Sequence, residues 1–238
     1  MKEPIVDIFI RTYSADLKWL QYALTSIHKF CTGFRDIIIV IPEHQIQLLE
    51  QLNLTKEKIF TCPKYKDDYL GQQVTKLYAD DYTDADYILY TDSDTLFTMP
   101  VTQKNFTLEG KPLILKTKYE KVETAIIWQP VTEKALGFKV DFEFMRRLPF
   151  CYHSSTLKAL RIYIKEKHGK ELTDYIQAQS DRKFSEFNVV GAFADKFEQD
   201  KYDFQDTDEG LPTLYVRQFW SWGGLTEEVI TEIDKILK

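Results

Sequence analysis

Through its first hundred residues the chain alternates between extended apolar runs and helical ones, and that alternation restricts the fold more than any other feature of the sequence. "IVDIFIRTY" reads as a buried strand. After Asp16, a good N-cap, Leu17, Leu20, Leu24, Ile27 and Cys31 recur at helical spacing, which completes one strand–helix unit. The unit repeats as "DIIIVIPE" with the helical "HQIQLLEQLN", then as "KIFTCP" with "GQQVTKLYADDY". The run "YILYTDSD" supplies a fourth strand. Strands and helices alternating over short links imply an α/β fold, a mostly parallel central sheet with helices on both faces. Ligands of such sheets gather outside the carboxyl ends of the strands. Arg11, Thr12 and Tyr13 after the first strand, and Asp92, Ser93 and Asp94 after the fourth, are therefore expected to face one crevice.

The rhythm changes from about Val101. "KPLILKTKY" and "ETAIIWQPV" read as strands, and "EFMRRLPFCYHSSTLKALRIYIKEKHG" as largely helical after Pro149. No Pro/Gly/Ser-rich linker divides the chain, so residues 1–238 are expected to form one domain, with 101–238 packing on the sheet and shaping the second side of the cleft. "EQDKYDFQDTDEG" reads as a solvated acidic loop. "LTEEVITEIDKILK" reads as a packing helix with Thr226 as N-cap and a Leu225–Ile230 staple. A hydrophobic content of 44% is ample for a core. The net charge of -6 is spread along the chain, which argues against a nucleic-acid partner or a basic membrane-binding face. Cys31, Cys62 and Cys151 are too widely spaced for a disulfide framework or a zinc knuckle and are expected to be buried thiols. Neither a signal-peptide apolar region nor the ~18 apolar residues of a membrane span is present, so a soluble, cytoplasmic protein is expected.

The aspartates that end "YILYTDSDTLF" carry the functional signal. One aspartate at a strand exit is an ordinary turn former. A pair at i and i+2 of an extended chain points to one side, where the two charges repel unless a cation lies between them. Hard divalent ions such as Mn²⁺ and Mg²⁺ bind in this way, through one or two carboxylates together with substrate phosphates. Asp92 and Asp94 are accordingly the expected metal ligands. On the preceding helix Gln73, Lys76 and Asp80 share one face, opposite Val74, Leu77 and Tyr78, so Lys76 can point to the cleft while its apolar neighbours pack.

The stretch "VTKLYADDYTDADYILYTDSDTLF", from Val74 to Phe97, resembles the core of GT-A fold glycosyltransferases of the glycogenin-like family, in which a Thr-Lys-Leu helix precedes a strand ending in Asp-x-Asp-Thr-Leu. In size and lay-out the chain is also similar to the small GT-A rhamnosyltransferase domain of chlorella viruses. The resemblance implies a nucleotide-sugar-binding half at 1–100 and an acceptor-side half at 101–238. Mn²⁺ would sit on Asp92 and Asp94 against the diphosphate of a UDP-linked donor, with Lys76 on the donor and Arg11, Thr12 and Tyr13 around the nucleoside. The acceptor would be a hydroxyl on a glycan or glycoprotein. Glycogenin-like enzymes complete the metal shell with a histidine near the C-terminus. Here that region reads "RQFWSWGG", and His153 in "FCYHSS" is the remaining candidate.

"KFSEFNVVGAFADKF" reads as a helix whose first turn sets Glu186 between Phe184 and Phe187. A carboxylate partly desolvated there is suited to act as general base for an acceptor hydroxyl in an inverting enzyme, with Asp195 as second choice. In a retaining enzyme it would bind hydroxyls instead. Three other readings compete. Phosphatases of the haloacid dehalogenase type share a strand ending in D-x-D, but place it on their first strand and its Thr one position later. A nucleotidyltransferase would carry a glycine-rich loop where this chain has "RTYSAD". A non-catalytic sugar- or nucleotide-binding module would need no paired aspartates.

Overall fold

The computed structural model describes residues 3–52, 54–145, 148–207 and 215–238. Its central sheet takes one strand from each of the four expected runs: β1 (Val6–Arg11), β2 (Ile37–Pro42), β3 (Glu57–Cys62) and β4 (Tyr87–Tyr90). All four run parallel, in the order β3–β2–β1–β4. The strand alternation divides the core in two. Ile8, Ile10, Ile39, Ile41 and Leu89 point to one face, against Leu17, Leu20, Leu24 and Ile27 of α1 (Leu17–Phe30). Phe9, Ile38, Val40, Ile88 and Tyr90 point to the other, against Leu70, Val74 and Leu77 of α2 (Asp68–Leu77). Each such buried side chain contributes about 1.5–3 kcal/mol, and truncating Leu20 to Ala would cost roughly 2–5 kcal/mol.

Further elements complete this frame. The strand β5 (Thr95–Phe97) leaves the turn that holds the aspartates. A second sheet is built on β6 (Lys111–Lys118), with β7 (Phe142–Glu143) antiparallel to it. After α3 (Gln129–Leu136), β8 (Phe150–His153) returns to the main sheet, antiparallel to β4, and leads into α4 (Ser154–His168) and α5 (Leu172–Gln177). The long helix α6 (Glu186–Phe197) packs on the α2 side of the sheet, and β9 (Asp203–Asp206) then pairs parallel with β6. Finally β10 (Val216–Gln218) pairs antiparallel with β5, and α7 (Glu227–Leu237) starts at Thr226, whose side chain accepts from the Val229 N–H as expected.

Several sequence expectations change. "ETAIIWQPV" is not a strand: Glu123–Trp128 is a 3₁₀ turn that runs into α3, since Pro130 has the backbone angle a first helical turn needs. Ile126 and Ile127 are exposed, which a buried strand would not allow. Of "HQIQLLEQLN", residues 44–51 lie in a 3₁₀ segment, Glu43–Gln51, rather than an α-helix, and residue 53 lies outside the described set. The helix expected straight after Pro149 is preceded by β8, where Phe150 and Tyr152 face one core and Cys151 the other. In "EQDKYDFQDTDEG" the middle forms β9, with Tyr202 buried and Phe204 packed on the core, and residues 208–210 lie outside the described set. All three cysteines are free thiols, Cys62 and Cys151 buried and Cys31 half-buried. Among the described residues no helix is long and apolar enough to cross a membrane.

Candidate functional site

The parallel strand order reverses between β1 and β4, and their exits are tied together there. The Thr91 N–H donates to the Phe9 carbonyl (3.1 Å), and the Ser93 hydroxyl lies 3.1 Å from that of Thr12. A crevice at such a reversal is where ligands of open α/β sheets bind. A cleft of ≈ 380 Å³ opens there, lined from the N-terminal half by Arg11, Tyr13, Lys76 and the Asp92–Asp94 turn, and from the C-terminal half by Glu186 and the 218–222 segment.

The aspartates do not continue an extended strand. The Thr95 N–H donates to the Asp92 carbonyl (3.1 Å), so the pair occupies a turn between β4 and β5. Its two members differ. Asp92 Oδ1 lies 2.9 Å from Lys76 Nζ. Asp94 is 8% exposed, and its Oδ2 accepts from the Ser221 N–H (2.8 Å), while its Oδ1 is buried without a hydrogen-bond partner. Burial and the neighbouring Asp92 charge raise the pKa of Asp94 above the ordinary carboxylate range, against the opposing pull of the Ser221 N–H and Lys76.

Lys76, 5% exposed, is the positive hub of the cleft. Its Nζ lies 2.9 Å from Asp92 and 3.2 Å from Glu186 Oε1, and 5.2 Å from the centre of the Phe187 ring. Burial alone disfavours the ammonium, yet Asp92 and Glu186 outweigh it and raise the Lys76 pKa. The rest of its setting is rigid. Tyr90 OH donates to the Lys76 carbonyl (3.0 Å), and Gln73 Oε1 accepts from the Glu186 N–H (3.2 Å) at the start of α6. The Asn188 Oδ1 accepts from the Phe144 N–H (2.7 Å). Close approach is possible because residue 191 is glycine: a Cβ there would stand 2.5 Å from the Phe144 side chain.

A third aspartate joins the pair. Asp16 makes no side-chain cap bond to α1; it lines the cleft and hydrogen-bonds Ser221 through its side chain. Desolvation raises its pKa to about 6, with Asp94 and Asp92 adding to the rise, while Ser221 and Arg11 oppose it. The segment carrying Ser221 is delivered by the β5–β10 pairing, which sets Gln218 opposite Thr95 and lets the Phe219 N–H reach the Asp94 carbonyl (2.9 Å). Trp220 holds a left-handed backbone (φ 59°), a conformation costing a bulky residue about 1–3 kcal/mol, and the bonds on either side of it to Asp94 oppose its relaxation.

Residues 5–220 match the profile of DUF6492, a family of unknown function. The chain belongs to that family. No curated protein matches it.

Of the residues expected at the site, this DUF6492 chain gathers most in one place. Arg11, Tyr13, Gln73, Lys76, Asp92, Ser93, Asp94 and Glu186 all line the cleft, and Thr12 stands behind it on Ser93. Arg11 is buried and paired with Asp68, with its Nε–H left unpartnered. Three candidates lie elsewhere. Asp80 is on a 3₁₀ turn beyond α2 and pairs with Arg161 (2.5 Å), so it does not share the cleft with Lys76. Asp195 pairs with Lys116 (2.9 Å) beside the rings of Phe142 and Phe204, because α6 turns that face to the second sheet. His153 sits between the rings of Tyr87 and Tyr202 with its Nε2 3.2 Å from the Lys201 carbonyl, and burial lowers its pKa; it is a packed side chain and no third ligand.

Glu186 is buried, as expected from its aromatic flanks, but it is shared with Lys76 rather than solitary. Asp16, read from the sequence only as a helix cap, is a cleft wall, and so are Trp220 and Trp222 of "RQFWSWGG". The crevice rule that selected Arg11 to Tyr13 extends to Asp16 in the same loop, whereas nothing local in "RQFWSWGG" predicts its bond to Asp94. Among the described residues no group of three His, Cys, Asp or Glu side chains stands close enough to enclose a metal. A metal held here would draw on Asp92 and Asp94 and complete its shell from a substrate or water, the usual habit of Mg²⁺ and Mn²⁺.

Proposed function

We propose that this chain is a metal-dependent glycosyltransferase of GT-A type, moving a sugar from a UDP-linked donor to a hydroxyl on a glycan or glycoprotein. One observation carries the reading: Asp94 keeps a buried, unpartnered oxygen beside Asp92, at the strand-order reversal of a parallel sheet. Asp16, Asp92, Asp94 and Glu186 face the cleft, and among the described residues that line it Lys76 is engaged with Asp92 and Glu186 and Arg11 with Asp68. This surplus of negative charge, with one oxygen left open, suits a hard divalent cation. When bound, Mn²⁺ or Mg²⁺ supplies charge neutralisation of the diphosphate and so improves it as a leaving group.

The chain's own residues then take definite tasks. Lys76 and the free Arg11 Nε–H are donors to diphosphate oxygens. Tyr13 and Tyr69 are half-exposed where the cleft continues into a second cavity walled by His44, Lys64 and Arg182, and their rings suit a nucleobase. Glu186 stands across Lys76 from Asp92. In an inverting transfer it takes the acceptor's hydroxyl proton, and in a retaining one it binds sugar hydroxyls. A turnover number for Glu186→Gln reduced less than tenfold, at saturating donor and acceptor, eliminates the base role.

The free thiols suit a reducing compartment, and we place the enzyme in the cytoplasm. The experiment that tests the reading is thermal unfolding with UDP, Mn²⁺, both, or free sugars. Stabilisation that needs UDP and Mn²⁺ together supports transfer chemistry. Stabilisation by sugars without nucleotide, or none by any nucleotide, overturns it.

A further inference from the structure

The wall of the cleft nearest Asp94 is aromatic and open. Trp19 is buried against Phe219 and Trp128 is packed on the core, whereas Trp220 and Trp222, which line the cleft, are 56% and 85% exposed. Two indoles left in water forgo the burial that such side chains ordinarily obtain. The backbone beneath them is nevertheless tethered, through the Phe219 N–H to the Asp94 carbonyl and the Ser221 N–H to Asp94 Oδ2. The Phe219 ring is anchored on Trp19. Free rings on a fixed backbone form a preorganised contact surface, which limits the ordering cost of a partner that lies on them.

Charge selects the partner. Asp16, Asp92, Asp94 and Glu186 face the same cleft, and among the described residues that line it the cations are engaged, Lys76 with Asp92 and Glu186 and Arg11 with Asp68. A second, anionic ligand that brings no cation of its own would enter an unfavourable field. A neutral ring with a flat C–H face and hydroxyls at its edge meets indole faces together with the side chains of Gln72, Gln218 and Asp16.

We infer that Trp220 and Trp222 are the acceptor platform of this cleft, and that the acceptor is an uncharged pyranose of a neutral glycan stacked on them. The inference rests on the glycosyl-transfer reading only in that a second substrate must enter beside the donor. It adds the class of that substrate and the residues that select it.

Tryptophan emission, titrated with neutral hexasaccharides (malto-, cello-, manno- and chitohexaose), with hexagalacturonate and with phosphatidylcholine vesicles, tests it. At least one neutral hexasaccharide is expected to shift the emission, with hexagalacturonate and vesicles inert. By calorimetry Trp222→Ala should weaken that saccharide at least tenfold and Trp222→Phe by less. Absence of a response to every neutral saccharide, preference for hexagalacturonate, a response to vesicles, or unchanged affinity in Trp222→Ala overturns the platform. UDP–Mn²⁺ stabilisation of the same samples separates the two readings. If it is missing while saccharide binding depends on Trp222, the platform stands and the transferase reading falls; if it is present without saccharide binding, the reverse holds.

Discussion

Asp7, at the start of β1, and Asp94, beyond the carboxyl end of β4, are buried carboxylates at opposite ends of the strands of one parallel sheet, and their surroundings differ in completeness. Asp7, 0% exposed, accepts from Arg35 Nε (3.0 Å) and the Asp36 N–H (3.0 Å) on one oxygen. Arg35 Nη2 (2.7 Å) and the Thr83 hydroxyl serve the other. No lone pair is left for a ligand. Asp94 has one oxygen held by Ser221 and one with nothing, and its nearest charged neighbours include other acids. Burial and charge are thus common to both positions, and it is the unfinished shell that separates a candidate site from a structural ion pair.

That contrast is open to direct attack. The largest effect is expected from Asp94→Asn, which should lower transfer activity by about a thousandfold, ~4 kcal/mol of lost metal-assisted stabilisation, while the fold persists. Relief of Asp92–Asp94 repulsion should leave the melting temperature of the metal-free protein equal or higher. UDP affinity in Mn²⁺ that matches wild type would contradict the assignment. Asp7→Asn should do the opposite. It breaks a buried pair at a cost of ~3 kcal/mol, which in a chain of this size lowers the melting temperature by roughly 6–12 °C, and it should leave UDP affinity of the folded protein unaltered. A stability loss confined to Asp94→Asn would erase the distinction between the two carboxylates.

Lys76→Gln sharpens the comparison from the cationic side. One charge-assisted donor contact is removed, worth ~1.5–3 kcal/mol, or about ten- to a hundredfold in donor affinity by calorimetry. Without its ammonium, Asp92 and Glu186 lose their shared partner, so Mn²⁺ should stabilise the variant more than it stabilises wild type.

The smallest effect is a pH dependence. Asp16 has a folded pKa of about 6 against an ordinary 3.8, so between those values the folded protein holds more protons than the unfolded chain. The corresponding stability is fully present below about pH 4 and lost as pH rises through about 6. Wild type minus Asp16→Asn, followed by thermal unfolding without metal, should therefore decline by a few degrees across that window, and Mn²⁺ should blunt the decline. A difference that is flat or rises with pH would remove Asp16 from the carboxylate cluster.

Much of this is legible in the sequence. The burial of β1, β2 and β4, the helices α1, α2 and α6, and the Asp92–Asp94 pair at a strand exit were all readable, because each depends on residues within a turn or a strand of one another. Errors arose where a short apolar run suits more than one period. "ETAIIWQPV" has the composition of a strand but runs through a 3₁₀ turn into a helix that starts at Gln129, and the strand Phe150–His153 has an apolar pattern that also suits the helix after it.

The sequence by itself therefore determined a parallel α/β frame and two carboxylates at the crevice, since apolar periodicity and strand-exit chemistry are local. Tertiary structure decided which charges meet. Lys76 finds Glu186 across 110 positions, and Ser221 finds Asp94 across 127. Asp16 leaves its helix cap for the cleft, while Asp80, His153 and Asp195 are taken up by Arg161, aromatic rings and Lys116. Packing sets those pairings, because a buried charge must take its partner from whichever element the fold lays against it.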